Sequence, residues 1–284
     1  MNPRYQGLTL QPGTCVPDLR DDYPTDDPYV RLYQPQYIRS LTFDEHYPYV
    51  DDSLRGRLLR WIGHYFVLHI PVWLLLRFQM GLRVEGRQWL RQYREQLAGG
   101  AITLANHCHR HDCEAIMLAV QAYLPRTRIP MFAPNFNTKD KTLMEMIGGV
   151  PIPPAEMGLQ AMKQFNEAFD EFHRRGYWFH IFPEACKWDW YLPLRPFQKG
   201  AFSMAYKYGM PLVPCMIIWR PRTGLYRLFG PRQMPLMTVR IGEPILPDTT
   251  APRKSEVSRL LSLAHARMCQ LGGIIRNTWP DTMP

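Results

Sequence analysis

The chain has 284 residues, of which 46% are hydrophobic and 27 are proline. That suits one large domain with a real core, alone or with an appendage, and the proline argues for ordered loops or an extended arm against a helical bundle. The net charge of +9 is uneven: residues 1–52 hold nine acidic and four basic residues, while the rest holds 30 Lys and Arg against 16 Asp and Glu. Such a basic body can meet nucleic acid, an anionic membrane or a polyanionic small molecule, and nothing beyond charge supports nucleic acid.

Residues 1–52 read as a Pro/Tyr/Asp-rich arm without helical or strand periodicity. Either it is a disordered tail, or its tyrosines (Tyr23, Tyr29, Tyr33, Tyr37, Tyr47 and Tyr49) pack it against the body. The opening has no apolar core of signal-peptide length, and Cys15, Cys108, Cys113, Cys186, Cys215 and Cys269 form no CxxC pair. We therefore expect reduced thiols in the cytoplasm.

Residues 53–81 form the second region. The apolar stretch 61–76 is flanked by Arg55, Arg57 and Arg60 on one side and Arg77 on the other, and it is interrupted by His64, His69 and Pro71. A comfortable span needs ~20 apolar residues, and Pro71 should break a helix. The expectation is two short amphipathic helices dipping into one leaflet, with Trp61, Tyr65 and Trp73 at the interface. A buried helix pair is the competing reading.

From residue 82 onward β-prone runs (82–85, 101–105, 129–132, 177–182 and 212–219) alternate with helix-like stretches (87–98, 112–122, 138–146, 156–175 and 199–208), and 253–271 reads as a closing amphipathic helix. Alternation of this kind predicts an α/β fold for 82–284, a central mixed sheet flanked by helices, with ligands beyond the carboxyl ends of strands.

The richest segment chemically is 102–112, where an apolar run leads into Asn106-His107 and Asp112 follows five residues on. A carboxylate on one imidazole nitrogen makes the other a better base for deprotonating a hydroxyl. The same segment holds His109, His111, Cys108 and Cys113, with His173 and His180 conceivable as further ligands, so a metal site or a plain helix-start hydrogen bond compete. A second segment, 179–187, ends an apolar strand in Pro183-Glu184, and a third, 196–214, opens a helix at Lys199-Gly200 where a phosphate could be met.

Taken in this order, the segments resemble the 1-acylglycerol-3-phosphate acyltransferase family. The Asn-His-x4-Asp block is matched at Asn106, His107 and Asp112. Phe-Pro-Glu-Gly-Thr-Arg is matched at Phe182, Pro183 and Glu184, with Ala185 for Gly and Lys187 for Arg. Pro-Phe-Lys-Lys-Gly-Ala-Phe is matched over 196–202, and Val-Pro at Val213-Pro214. The resemblance covers roughly 55–246. One block departs: the run 148–154 lacks the arginine that helps hold the acceptor phosphate, so Lys139, Lys141, Lys187 or Arg195 would have to substitute, or the acceptor carries another headgroup.

The resemblance implies transfer of a fatty acyl chain from acyl-CoA or acyl carrier protein to the hydroxyl of a lysophospholipid-type acceptor in phospholipid biosynthesis, without a cofactor or covalent acyl-enzyme. His107 would be the base and Asp112 its orienting partner. Asn106, Arg110, Phe182, Pro183, Glu184, Lys187, Lys199 and Gly200 would bind substrate. The partners implied are an anionic membrane surface, the acyl donor and the lysolipid. The place implied is cytoplasmic, peripheral or monotopic on the inner membrane face. A metal-dependent hydrolase using residues 107–113, or a non-catalytic lipid-binding protein, are the alternatives.

Overall fold

The computed structural model describes residues 5, 7–20, 22–33, 36–120 and 126–283. Its strands are β1 (Thr9–Leu10), β2 (Arg83–Glu85), β3 (Ile102–Leu104), β4 (Thr127–Phe132), β5 (Gly149–Ile152), β6 (Trp178–Ile181), β7 (Leu212–Arg220), β8 (Leu236–Ile241) and β9 (Ile274–Arg276). Its helices are α1 (Leu54–Gln79), α2 (Arg87–Gln92), α3 (Arg94–Leu97), α4 (Asp112–Ala119), α5 (Lys141–Met146), α6 (Gly158–Arg174), α7 (Gly200–Tyr208) and α8 (Arg253–Leu271).

A seven-stranded mixed sheet runs in the order β2-β8-β7-β3-β6-β4-β5. Strands β3 to β7 are mutually parallel, whereas β8 lies antiparallel to β7, and β2 parallel to β8. The central strands are apolar on both faces because helices cover both. Along β7, Leu212, Met216 and Ile218 pack with α6, α7 and α8, while Val213, Cys215, Ile217 and Trp219 pack with α1 and α4.

All five expected strands and the long helices form. Two strands of the main sheet were not expected, and both have weak local signals. In β5, Pro151 removes a ladder donor and sits where such a residue is tolerated, on an edge strand. β8 follows a Pro-rich loop and pairs with β7 before it and with β2, far back in the chain. The stretch 87–98 is divided at Tyr93, which leaves helical geometry. Helix α4 closes at Ala119, and residues 121 and 122 of its expected span lie outside the described residues.

The expected helix pair is instead one helix. α1 runs through Pro71 because the turns at 62–72 are widened to π geometry, which moves the carbonyl that the proline ring would otherwise strike; 75–79 is widened as well. Its 26 residues are long and apolar enough to cross a membrane by length and composition. Yet Gly56, Gly63, His64, Leu68 and Leu76 are buried along its whole length, so it lies against the body. At Gly63 a Cβ would stand 2.5 Å from the Met146 carbonyl, which is how closely α1 approaches the end of α5. The opposite face leaves Trp61, Tyr65, Phe66, Ile70, Trp73 and Phe78 exposed.

The described part of the arm packs against the body. Tyr23 stacks on Trp188 and donates to the Asp189 carbonyl at 2.6 Å, Tyr49 meets Phe165 edge-on, and β1 pairs with β9. Tyr33 and Tyr37 remain exposed.

Candidate active site

The parallel ladder places the carboxyl ends of β3 and β6 side by side, Leu104 opposite Ile181. Two loops leave there, one with Asn106 and His107, the other with Phe182 to Lys187. Asn106 is buried, and its amide pairs with the backbone of Ile217: Oδ1 accepts from N–H at 2.7 Å and Nδ2 donates to C=O at 3.1 Å. That clamp ties the first loop to β7, as a further rung of the sheet would.

His107 Nδ1 lies 2.6 Å from Asp112 Oδ2. The Asp112 carboxyl also accepts from the His109 N–H at 3.3 Å and the Cys113 N–H at 2.7 Å. Burial pushes the Asp112 carboxyl up, but His107 and His109 outweigh it and hold the group below its usual value. An ionised carboxylate only accepts, so Nδ1 carries the proton and Nε2 presents its lone pair. The imidazole is 25% exposed at its side chain, whereas Asp112 is 3%. Phe182 stacks flat on the imidazole, centroids 4.1 Å apart, and fixes its plane.

Glu184 is buried beneath this pair. Its Oε2 accepts from the His107 backbone N–H at 2.8 Å and its Oε1 from the Arg195 N–H at 2.9 Å. The Arg195 guanidinium, fully buried, stands 3.2 Å from Oε2 and reaches the carbonyls of Pro28 and Cys186. Glu184 and Arg195 therefore join the His107 loop, the 182–187 loop and the arm. Fully buried and held by Glu184, Arg195 is not exposed where it could meet an acceptor phosphate. The Trp188 and Trp190 N–H groups close the same junction on the carbonyls of His107 and Cys108. Sequence reading missed this role for the Trp residues, and no local signal marks it.

Ala185, which stands where the family pattern has Gly, has a φ of +63°. The turn demands left-handed backbone, which Gly adopts freely and Ala does not. Pro183 is buried and its carbonyl accepts from Gln198. Lys187 pairs with Asp189 at 3.3 Å and faces the Tyr33 ring of the arm. Arg110, Lys199 and Gly200 are exposed, the last two at the start of α7. Lys139 is exposed, and Lys141 pairs with Glu145.

The histidines of 107–111 do not converge. His109 turns into Trp190 and Trp219, and its pKa is pushed down to about 4 chiefly by burial. His111 leans toward Glu114, Cys108 and Cys113 are buried with thiol pKa values raised by burial, His180 hydrogen-bonds Thr103, and His173 stacks on Tyr208. Among the described residues no three His, Cys, Asp or Glu side chains are grouped to hold a metal ion.

Residues 81–218 match the protein family described as Acyltransferase. No curated protein matches the chain. The matched segment runs from just before β2 into β7 and includes His107, Asp112, Glu184 and Arg195.

Proposed function

We propose that this chain, built around an acyltransferase-family domain at 81–218, moves a fatty acyl group from a thioester donor, acyl-CoA or acyl carrier protein, to the hydroxyl of a lysophospholipid-type acceptor. The observation that carries the reading is the His107–Asp112 pair at 2.6 Å with Nε2 of the partly exposed imidazole unoccupied by that bond. His107 Nε2 takes the hydroxyl proton as the oxygen attacks the thioester carbonyl. As the tetrahedral intermediate collapses, the C–S bond breaks and the imidazolium returns the proton to the departing sulfur. Asp112 holds the tautomer and stabilises the imidazolium. No step needs a nucleophilic cysteine or a cofactor, which suits the raised pKa of buried Cys108.

In this reading Arg110, Lys187, Lys199 and Gly200 lie toward the acceptor and donor. Asn106, Phe182, Pro183 and Glu184 shape the site from behind. The exposed apolar face of α1 is the contact with an anionic membrane, and the helix, held by the body along its length, lies in the interface as a monotopic element at the cytoplasmic face. Phe229, exposed beside Phe78, extends that face, with Leu225 and Leu228 exposed just before it in the chain. Phospholipid synthesis is the pathway class such a product would enter.

The test is turnover of labelled acyl-CoA and acyl carrier protein with a panel of lysolipids, products resolved by mass. A diacyl product lost by about 10²–10⁴-fold in His107→Ala is expected. Unimpaired turnover in the folded variant sinks the assignment.

A further inference from the structure

A cavity of about 490 Å³ opens at the amino ends of β4 and β6, the opposite end of the sheet from His107. Its wall is cationic. Arg57 and Arg60 come from the start of α1, Arg128 from β4 and Arg175 from the turn after α6; Asp52 is the single acidic residue among those lining it.

Asp52 is engaged by Arg175, in two hydrogen bonds of 2.9 Å. Arg60 bonds the Asp51 carbonyl and stands 3.7 Å from its carboxylate. Arg57 and Arg128 form no ion pair among the described residues, and Arg128 Nη1 donates to the Thr127 carbonyl at 3.1 Å. Arg128 is 5% exposed and lies over the rings of Phe172 and Tyr177 at 4.7 and 4.3 Å. His64, 2% exposed, lines the same cavity, and neither of its ring nitrogens has a hydrogen-bond partner.

A buried guanidinium without a carboxylate and a buried imidazole without a partner are both costly unless something completes them. One multi-oxygen anion completes both, because guanidinium groups fork onto its oxygens and an imidazole N–H takes another. A phosphate group has the oxygens and the charge for that set. Trp61 and Tyr65 form the lip of the cavity and belong to the exposed apolar face of α1. A group held there is therefore met from the surface that the helix offers to lipid.

We infer that this cavity binds a phosphate group, presented by the headgroup of an anionic lipid, through Arg57, Arg60, Arg128 and His64, at a site separate from the catalytic one. The headgroup source rests on the membrane reading of α1; the phosphate chemistry does not. Binding is read without turnover, so its failure leaves the transferase assignment standing.

The experiment titrates the full chain with inorganic phosphate, with phosphatidylcholine vesicles carrying phosphatidic acid, and with phosphatidylcholine vesicles alone. Saturable binding of phosphate or of the phosphatidic acid vesicles is expected, weakened about tenfold or more in R57Q/R60Q and in Arg57→Gln to a lesser degree, and unchanged in His107→Ala. Saturation by inorganic phosphate alone puts a free phosphate in the cavity; saturation only by phosphatidic acid vesicles puts a headgroup there. The charge-matched R55Q/R91Q, whose residues are exposed and outside the cavity, should bind as the unaltered chain does. Equal loss in that variant, no loss in R57Q/R60Q, loss in His107→Ala, or no saturable binding of any probe overturns the site.

Discussion

The two ends of the parallel strands use polar side chains in opposite ways. At the carboxyl end Asn106, Asp112, Glu184 and Arg195 are each buried and each held by named partners, and in the proposed reading one imidazole edge of His107 is left to act as the base. At the amino end Arg57, Arg128 and His64 line a cavity in which neither arginine has an ion-pair partner among the described residues and His64 has no hydrogen-bond partner at either ring nitrogen. A catalytic base needs neighbours that fix its tautomer and plane before substrate arrives. A ligand site needs donors left unpaired until the ligand comes, and it accepts the desolvation cost in the meantime. Arg195 shows how misleading residue type is alone: it is as buried as Arg128, but its carboxylate is already present.

The largest break in that contrast should come from Asp112→Asn. It keeps the shape of the catalytic end but takes away the ionised partner, and the rate should fall by about 10²–10⁴-fold with the acceptor KM little changed. Asp112 also links stability to pH. Its folded pKa lies below the ordinary 3.8, so its contribution is full above that value and is lost as pH falls through the lower folded one. Denaturant titrations at descending pH should show a shallower acid limb in Asp112→Asn.

Glu184→Ala sharpens the same comparison by making the carboxyl end resemble the amino end. It strands the Arg195 guanidinium in the interior and should cost about 3–5 kcal/mol in urea unfolding. A folded, fully stable variant that merely raised the acceptor KM would instead make Glu184 a substrate contact.

Phe66→Glu with Trp73→Glu acts on the outer face of α1, where neither residue is buried in the body. Vesicle sedimentation should weaken roughly tenfold or more, since each exposed aromatic contributes on the order of 1.5–3 kcal/mol when buried in lipid. Unfolding in solution should shift by less than about 0.5 kcal/mol. The smallest effect belongs to Ala185→Gly. Relief of the left-handed turn at φ +63° should stabilise the protein by about 1 kcal/mol, read as a small rise in the unfolding midpoint without change in rate.

Much of the fold was legible because its signals are local. The apolar runs at 101–105, 177–182 and 212–219 and the helical periods at 156–175 and 253–271 carry their own period, and each became the expected element. β5 and β8 were not legible: Pro151 argues locally against the first, and the second is made a strand by the β7 and β2 edges it pairs with. At the site, the five-residue spacing from His107 to Asp112 was readable because a strand, a turn and a helix start bring the two together within one short segment.

What the sequence by itself determined is therefore the strand-turn-helix unit that pairs base and carboxylate, the sheet that displays it and the apolar stretch 61–76. Only the tertiary structure decided that α1 is one helix through Pro71, that the arm packs over the His107 and 182–187 loops, that Glu184 belongs to Arg195, and that Arg57, Arg128 and His64 share a cavity. The division follows from range. Backbone periodicity and short spacings are fixed over a few residues, whereas pairing of charges and burial of a loop depend on segments that only the closed sheet brings together.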